Sequence, residues 1–98
     1  MIKISIKKEN DFVKQVKIIG HAKYNDYGKD IVCASVSSIV ITTVNAILKI
    51  DKDAINYKEN TFEMNILKND EIVNILVNNM ISLLEELMHD YPKNIKFE

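Results

Sequence analysis

The chain of 98 residues holds one cysteine, Cys33, and two glycines, and only two histidines. Cys33, His21, Gly20 and Gly28 all fall in one stretch, GHAKYNDYGKDIVC, residues 20–33. A thiol and an imidazole are the parts of a nucleophile and its general base. Asp30 is a good N-cap for a helix that follows it, which makes Cys33 the third helical residue. The thiol then lies beside the free backbone N–H groups of the first turn. The positive end of the helix favours thiolate over thiol there. The same N–H groups are suited to hold the oxyanion formed when a thiolate attacks a carbonyl. His21 sits at a strand end just before the loop, so strand end, loop and helix start can bring the imidazole to the sulfur. Ser37, four residues after Cys33, shares its helix face.

Each of these residues also has a plainer reading. A lone helical cysteine is commonly a small buried hydrophobe. An Asp before a helix is commonly only a cap. His21 can be a partly exposed strand-end residue, and Gly28 a turn residue with positive φ. On the residues alone, a catalytic pair and a structural thiol both stay open. His21, Cys33 and His89 lack the close spacing of zinc ligands, so no metal is expected. The two glycines lack the spacing of a phosphate-binding loop, and no cofactor is expected.

The elements that must position the pair are legible in the pattern. IKISIKK alternates Ile2, Ile4 and Ile6 with polar residues and predicts a half-buried strand. ENDF predicts a turn at Asn10-Asp11, and FVKQVKII a second strand ending at Gly20. YNDYGKD reads as a loop. Residues 31–50 are rich in β-branched side chains, yet their length and the spacing of Val36, Val40, Val44 and Ile47 predict a helix. Two short strands follow around Glu59-Asn60, with Phe62, Met64 and Ile66 on one face. A second helix carries Ile72, Leu76, Met80, Leu83 or Leu84, and Leu87 at helical spacing, with His89 at its end and Pro92 beyond. NIKF predicts a last short strand. The order β-β-α-β-β-α-β implies a single α+β domain over residues 1–98, a mainly antiparallel sheet with two helices packed on one face.

Composition bounds the function. Hydrophobic residues are 47% and charged residues 28%, as expected of a folded soluble domain. No apolar run is expected to approach the length of a membrane span, and the alternating N-terminus lacks the apolar block of a signal peptide. A single cysteine cannot close an internal disulfide, which points to the cytoplasm. The net charge of -1 divides into +4 over residues 1–29 and -5 over residues 30–98. The basic front third could face an anionic partner, or be a solvated Lys-bearing sheet face. The chain has no Arg, the usual bidentate reader of phosphate and guanine, which argues against specific nucleic-acid recognition.

The run GHAKYNDYGKDIVCASVSS resembles the hallmark of the ribosomal-processing cysteine proteases, the Prp family. Gly20, His21, Ala22, Tyr24, Gly28, Asp30, Ile31, Val32, Cys33, Ala34 and Ser37 carry the resemblance. Ser35 departs from it, where Ala or Gly is usual. The resemblance implies a cytoplasmic homodimeric protease that removes the N-terminal extension of large-subunit ribosomal protein L twenty-seven, cutting after paired phenylalanines. It implies Cys33 as nucleophile and His21 as base, with Asp30, Ser37 and Ala34 supporting the site. It implies that Gly20 lets the backbone pass close by, and that Lys23–Lys29, including Tyr24 and Gly28, forms a flap. Two rivals remain. A ribosome-associated or RNA-binding module would use the Lys-bearing strands and give Cys33 no role. A thiol redox sensor would need the cysteine but no proton shuttle from His21.

Overall fold

The computed structural model describes residues 1–20 and 27–98, with residues 27–30 described by their backbone. The described residues form β1 (Ile2–Glu9), β2 (Phe12–Ile19), α1 (Tyr27–Ile50), β3 (Ile55–Lys58), a 3-10 turn (Glu59–Thr61), β4 (Glu63–Ile66), α2 (Glu71–Asp90) and β5 (Ile95–Phe97). The order is the one the sequence predicts. The strands make one sheet, β3-β4-β2-β1-β5, antiparallel except for the parallel pairing of β1 with β5.

The β1–β2 hairpin turns on Asn10 and Asp11, both in the left-handed region at φ 51° and 67°. That pair of positive angles matches the twist of a two-residue hairpin, and Asn and Asp tolerate it. The ladder slips one residue between Lys7 and Lys8. This bulge lets Val13 and Val16, three apart, both point into the core, where they are 4% and 2% exposed. One sheet face thus carries Ile2, Ile4, Val16, Ile18, Met64 and Ile66 under the two helices. The other face is polar. There Gln15 Nε2 donates to Asn65 Oδ1 at 2.9 Å, Asn65 Nδ2 donates to Glu63 at 3.1 Å, and Lys58 pairs with Glu63 at 3.4 Å. The Asn65 hydrogen bond first, then Lys58, holds the Glu63 carboxyl below its usual range. Of the lysines in the N-terminal third, Lys3, Lys7, Lys8 and Lys17 are exposed.

The helices are set by burial. In α1, Val32, Val36, Val40, Val44 and Ile47 are all buried, as their spacing predicts. Contrary to the expectation that no apolar run nears a membrane span, Ile31–Ile50 is long and apolar enough to cross one. Its inner stripe instead belongs to the cluster shared with the sheet and α2. In α2 the buried positions are Val73, Val77, Met80, Ile81 and Leu84, whereas Ile72 and Leu83 are exposed. Met80 and Leu84 are buried as predicted and Leu76 and Leu87 pack half-buried against the core, while Val73, Val77 and Ile81 complete the face in place of Ile72. Asp70 caps α2 by accepting from the Val73 N–H at 3.1 Å. Phe62, predicted on one face with Met64 and Ile66, ends the 3-10 turn in the left-handed region at φ 47° and packs half-buried against the core.

The Tyr57 ring stacks on Phe62 with centroids 6.5 Å apart. Its hydroxyl is buried without a hydrogen-bond partner among the described residues. Burial first, and Glu59 second, push its ionisation up. An unsatisfied buried hydroxyl costs stability that a methine of the same shape does not. Tyr57→Phe is therefore expected to melt at the same temperature or higher, a gain of up to about 1 kcal/mol in urea titration, whereas Tyr57→Ala loses several times that.

Candidate active site

Two arms of the fold hold the residues singled out in the sequence. The first is the end of β2. Lys3 is paired with Ile19, and the Ile2 N–H donates to the Asn94 carbonyl at 2.8 Å, so the N-terminus is fixed beside the strand end. Gly20 follows at φ 72°, and a Cβ placed there would overlap the Met1 carbonyl oxygen. Both the angle and the space demand glycine. The chain thus leaves the sheet toward residue 21 from a locked point.

The second arm is α1. Cys33 lies in the apolar cluster, 7% exposed, at the edge of the Val32-Val36-Val40 stripe. Ser37, one turn later, is half-buried. Ala34 is exposed beside Cys33, where it lines a shallow depression with Ser38, Ile39 and Leu87. Ser35 is accommodated by a hydrogen bond from its hydroxyl to the Ile31 carbonyl at 2.8 Å.

The start of this helix differs from the sequence-based reading. α1 begins at Tyr27, so Asp30 is its fourth residue and not the N-cap. Cys33 is the seventh residue, not the third. At 1.5 Å per residue the thiol-bearing position is about 9 Å from the helix start. The free N–H groups of the first turn are not beside it, and its own N–H belongs to the helical ladder. The dipole and oxyanion roles expected of those groups therefore do not hold. Gly28 is likewise the second residue of the helix rather than a turn residue, and Tyr27–Lys29 is not loop. The competing signals are understandable: an Asp in the first turn interacts favourably with the helix end just as a cap does.

The structure brings Cys33 and Ser37 onto one helical face and leaves Asp30 on the preceding turn. His21, Tyr24 and the remainder of the expected flap, residues 23–26, lie outside the described residues. One feature near Gly20 has no signal in the motif. Ile18, Ile19, Gly20, Asn60, Thr61 and Phe62, with Lys17, line a cleft of ≈ 290 Å³ between the end of β2 and the 3-10 turn. Its wall depends on the left-handed Phe62, a conformation that a bulky residue rarely adopts and that sequence reading has no reason to expect.

The family model of the cysteine protease Prp matches residues 1–96. The chain belongs to the cysteine protease Prp family. Membership makes it a cysteine protease, and Cys33 is the only cysteine in the chain. It is 32% identical over 94 residues to the ribosomal processing cysteine protease Prp of Staphylococcus aureus strain Mu50, covering 89% of each chain. Its fold is similar to the crystal structure of an essential ribosomal processing protease Prp from S. aureus in complex with a substrate peptide. That likeness has a TM-score of 0.87 and 28% identity, and covers 100% of this chain and 98% of the other. A second S. aureus Prp structure, in complex with a covalently linked product peptide, gives a TM-score of 0.83 at 29% identity with the same coverage. The likeness extends over the whole chain, so the Prp fold includes the parallel β5 as well as the motif.

Gly20→Ala tests the first arm. A side chain at positive φ costs at least about 1 kcal/mol, and the overlap with Met1 adds to it. Urea unfolding is expected to show the loss. Removing Met1 and Ile2 together with the substitution should recover less than it costs, because Ile2 is itself core.

Proposed function

We propose that this protein is a ribosomal-processing endopeptidase that removes the N-terminal extension of large-subunit ribosomal protein L twenty-seven, cutting after paired phenylalanines. Cys33 is the nucleophile and His21 the general base. The observation that carries this reading is the placement of the motif's two described ends. Gly20 is locked immediately before His21, and Cys33 is set in α1 one turn before Ser37. The covalently linked product peptide held by the S. aureus relative supports a covalent route.

In this mechanism His21 takes the Cys33 proton as the sulfur attacks the scissile carbonyl carbon. The imidazolium then gives that proton to the leaving amine, the C–N bond breaks, and a thioester remains. His21 next removes a proton from water, which attacks the thioester carbonyl; the C–S bond breaks, the acyl part leaves as a carboxylic acid, and the proton returns to the Cys33 sulfur. A thiol only 7% exposed must be uncovered before it can attack the substrate. Asp30 and Ser37 support the site from successive turns of α1. The protein works in the cytoplasm as a homodimer. Ile41 and Leu48, seven residues apart and each 39% exposed, give α1 an outer apolar stripe suited to a second copy.

Cys33→Ala and His21→Ala are each expected to abolish removal of the extension, read by intact mass, while melting near the wild type. Asp30→Ala separates positioning from capping. Because Asp30 is inside the helix, its loss should cost less than the about 1 kcal/mol of a lost cap. It should still lower kcat. A variant that melts well below the wild type with unchanged kcat would assign Asp30 to the helix alone.

A further inference from the structure

The sheet face that carries neither helix is the strongest feature that the protease reading leaves unused. We propose that it binds RNA, holding the sugar–phosphate backbone of a duplex without reading its sequence. The inference does not rest on the protease reading and goes beyond it.

The strand pairings set the side chains of this face in three rows. Lys96, Lys3 and Ile19 lie side by side across β5, β1 and β2. Ser5, Lys17, Glu63 and Lys58 form the next row, across β1, β2, β4 and β3. Lys7, Gln15, Asn65 and Asn56 form the third. Lys3, Lys7, Lys17, Asn56, Lys58 and Lys96 are all exposed. The strands together span about 19 Å, and successive rows lie about 7 Å apart.

Charge points to the partner. These rows hold five lysines, and the carboxylates among them are Glu63 and, beside Lys3, Glu98. Lys58 and Lys17 share Glu63 at 3.4 and 4.0 Å, and Lys3 meets Glu98 at 3.7 Å. Lys7 and Lys96 have no carboxylate partner among the described residues. Exposed pairs of this length hold a lysine loosely, so its ammonium is available to an outside anion. The chain as a whole is at -1, so this face is a local positive field on an acidic molecule. Lysines that neutralise phosphates release counterions, which drives binding without any base contact.

The uncharged side chains narrow the choice. Ser5, Gln15, Asn56 and Asn65 are of the types that bond phosphate oxygens and sugars. The rows contain no aromatic ring on which an unpaired base could stack, which favours a duplex over a single strand. A face this broad does not enter the major groove of B-DNA, which is about 12 Å wide. The wide, shallow minor groove of an RNA duplex meets a broad surface, and it displays 2′-hydroxyls that amides and hydroxyls can bond. The absence of Arg removes the bidentate reader of guanine but not the lysine contacts to phosphate.

The test is fluorescence anisotropy with a labelled 20-base-pair RNA duplex of arbitrary sequence. Wild type should bind in 50 mM salt and weaken about fortyfold by 200 mM, the slope for about three neutralised phosphates. Lys7→Glu with Lys96→Glu should weaken binding at least tenfold. Lys49→Glu with Lys52→Glu, exposed at the end of α1 and just after it, changes the net charge equally and should cost less than threefold. Both double variants should melt like wild type and keep its peptide cleavage. If charge reversal lowers the melting temperature, Lys7→Gln with Lys96→Gln takes its place, with at least a threefold loss expected. Amide shifts on adding RNA should fall on Ser5, Lys17 and Asn65. No binding at 50 mM salt, equal losses in the two double variants, or shifts confined to the helices would overturn the assignment. Displacement by polyglutamate as readily as by unlabelled RNA, at matched charge, would show an acidic-protein face instead and overturn it too.

Discussion

The burial of one stripe of α1 against the sheet is the interaction on which the rest of this structure depends. Val32, Val36, Val40, Val44 and Ile47 are each at most 4% exposed. Burying a side chain of this size contributes about 1.5–3 kcal/mol. The same residues are β-branched and poor at holding a helix by themselves. Thr43 adds a back-bond from its hydroxyl to the Ile39 carbonyl at 2.9 Å. Helix α1 is therefore a consequence of tertiary packing rather than of local preference. The sheet must present Ile2, Ile4, Val16 and Ile18 together before the helix is worth forming, and the bulge after Lys7 keeps Val13 in that set.

Cys33 belongs to this stripe, and that sets the chemistry. A thiol at the edge of a core is held in place by its neighbours, which favours precise alignment. It is also hidden, which opposes reaction. Reaction therefore requires the thiol to be uncovered while the scaffold that aligns it stays rigid. Gly20 supports the division of labour. Its contact with Met1 anchors the strand end to the first residue, and the Asn94–Ile2 hydrogen bond ties in the C-terminal segment. The chain on either side of residues 21–26 is thus attached to the core: a locked strand end on one side and a packed helix on the other.

Much of this was legible in the residues, and the failures have physical causes. The hairpin at Asn10-Asp11 was readable because few residues tolerate two positive φ angles in succession. The inner face of α1 was readable because its valines recur at a helical period. The buried face of α2 was readable only in part: Met80 and Leu84 recur at helical spacing and are buried, but its apolar residues are spread widely around the helix, and only packing decides between Ile72 and Val73. The candidate site was legible as a set of residue types, since cysteine, histidine and glycine are otherwise scarce in the chain. Its helix start was misplaced because Asp is favourable both as a cap and within a first turn. The cleft had no signal at all, since it depends on a phenylalanine held in a backbone region that phenylalanine ordinarily avoids.

That misplacement changes what must activate the nucleophile. With Cys33 third in the helix, the helix end itself would have favoured the thiolate and held the oxyanion. With Cys33 seventh, about 9 Å along the axis, the first-turn N–H groups point elsewhere and the effect of the helix end has faded. In the proposed mechanism the imidazole of His21 is then the group that takes the proton, without help from the helix end. Gly20, held at φ 72° against Met1, fixes where the chain leaves the sheet, one residue before the proposed base. Alignment of this kind is worth orders of magnitude in rate, which gives a physical reason for glycine immediately before the histidine.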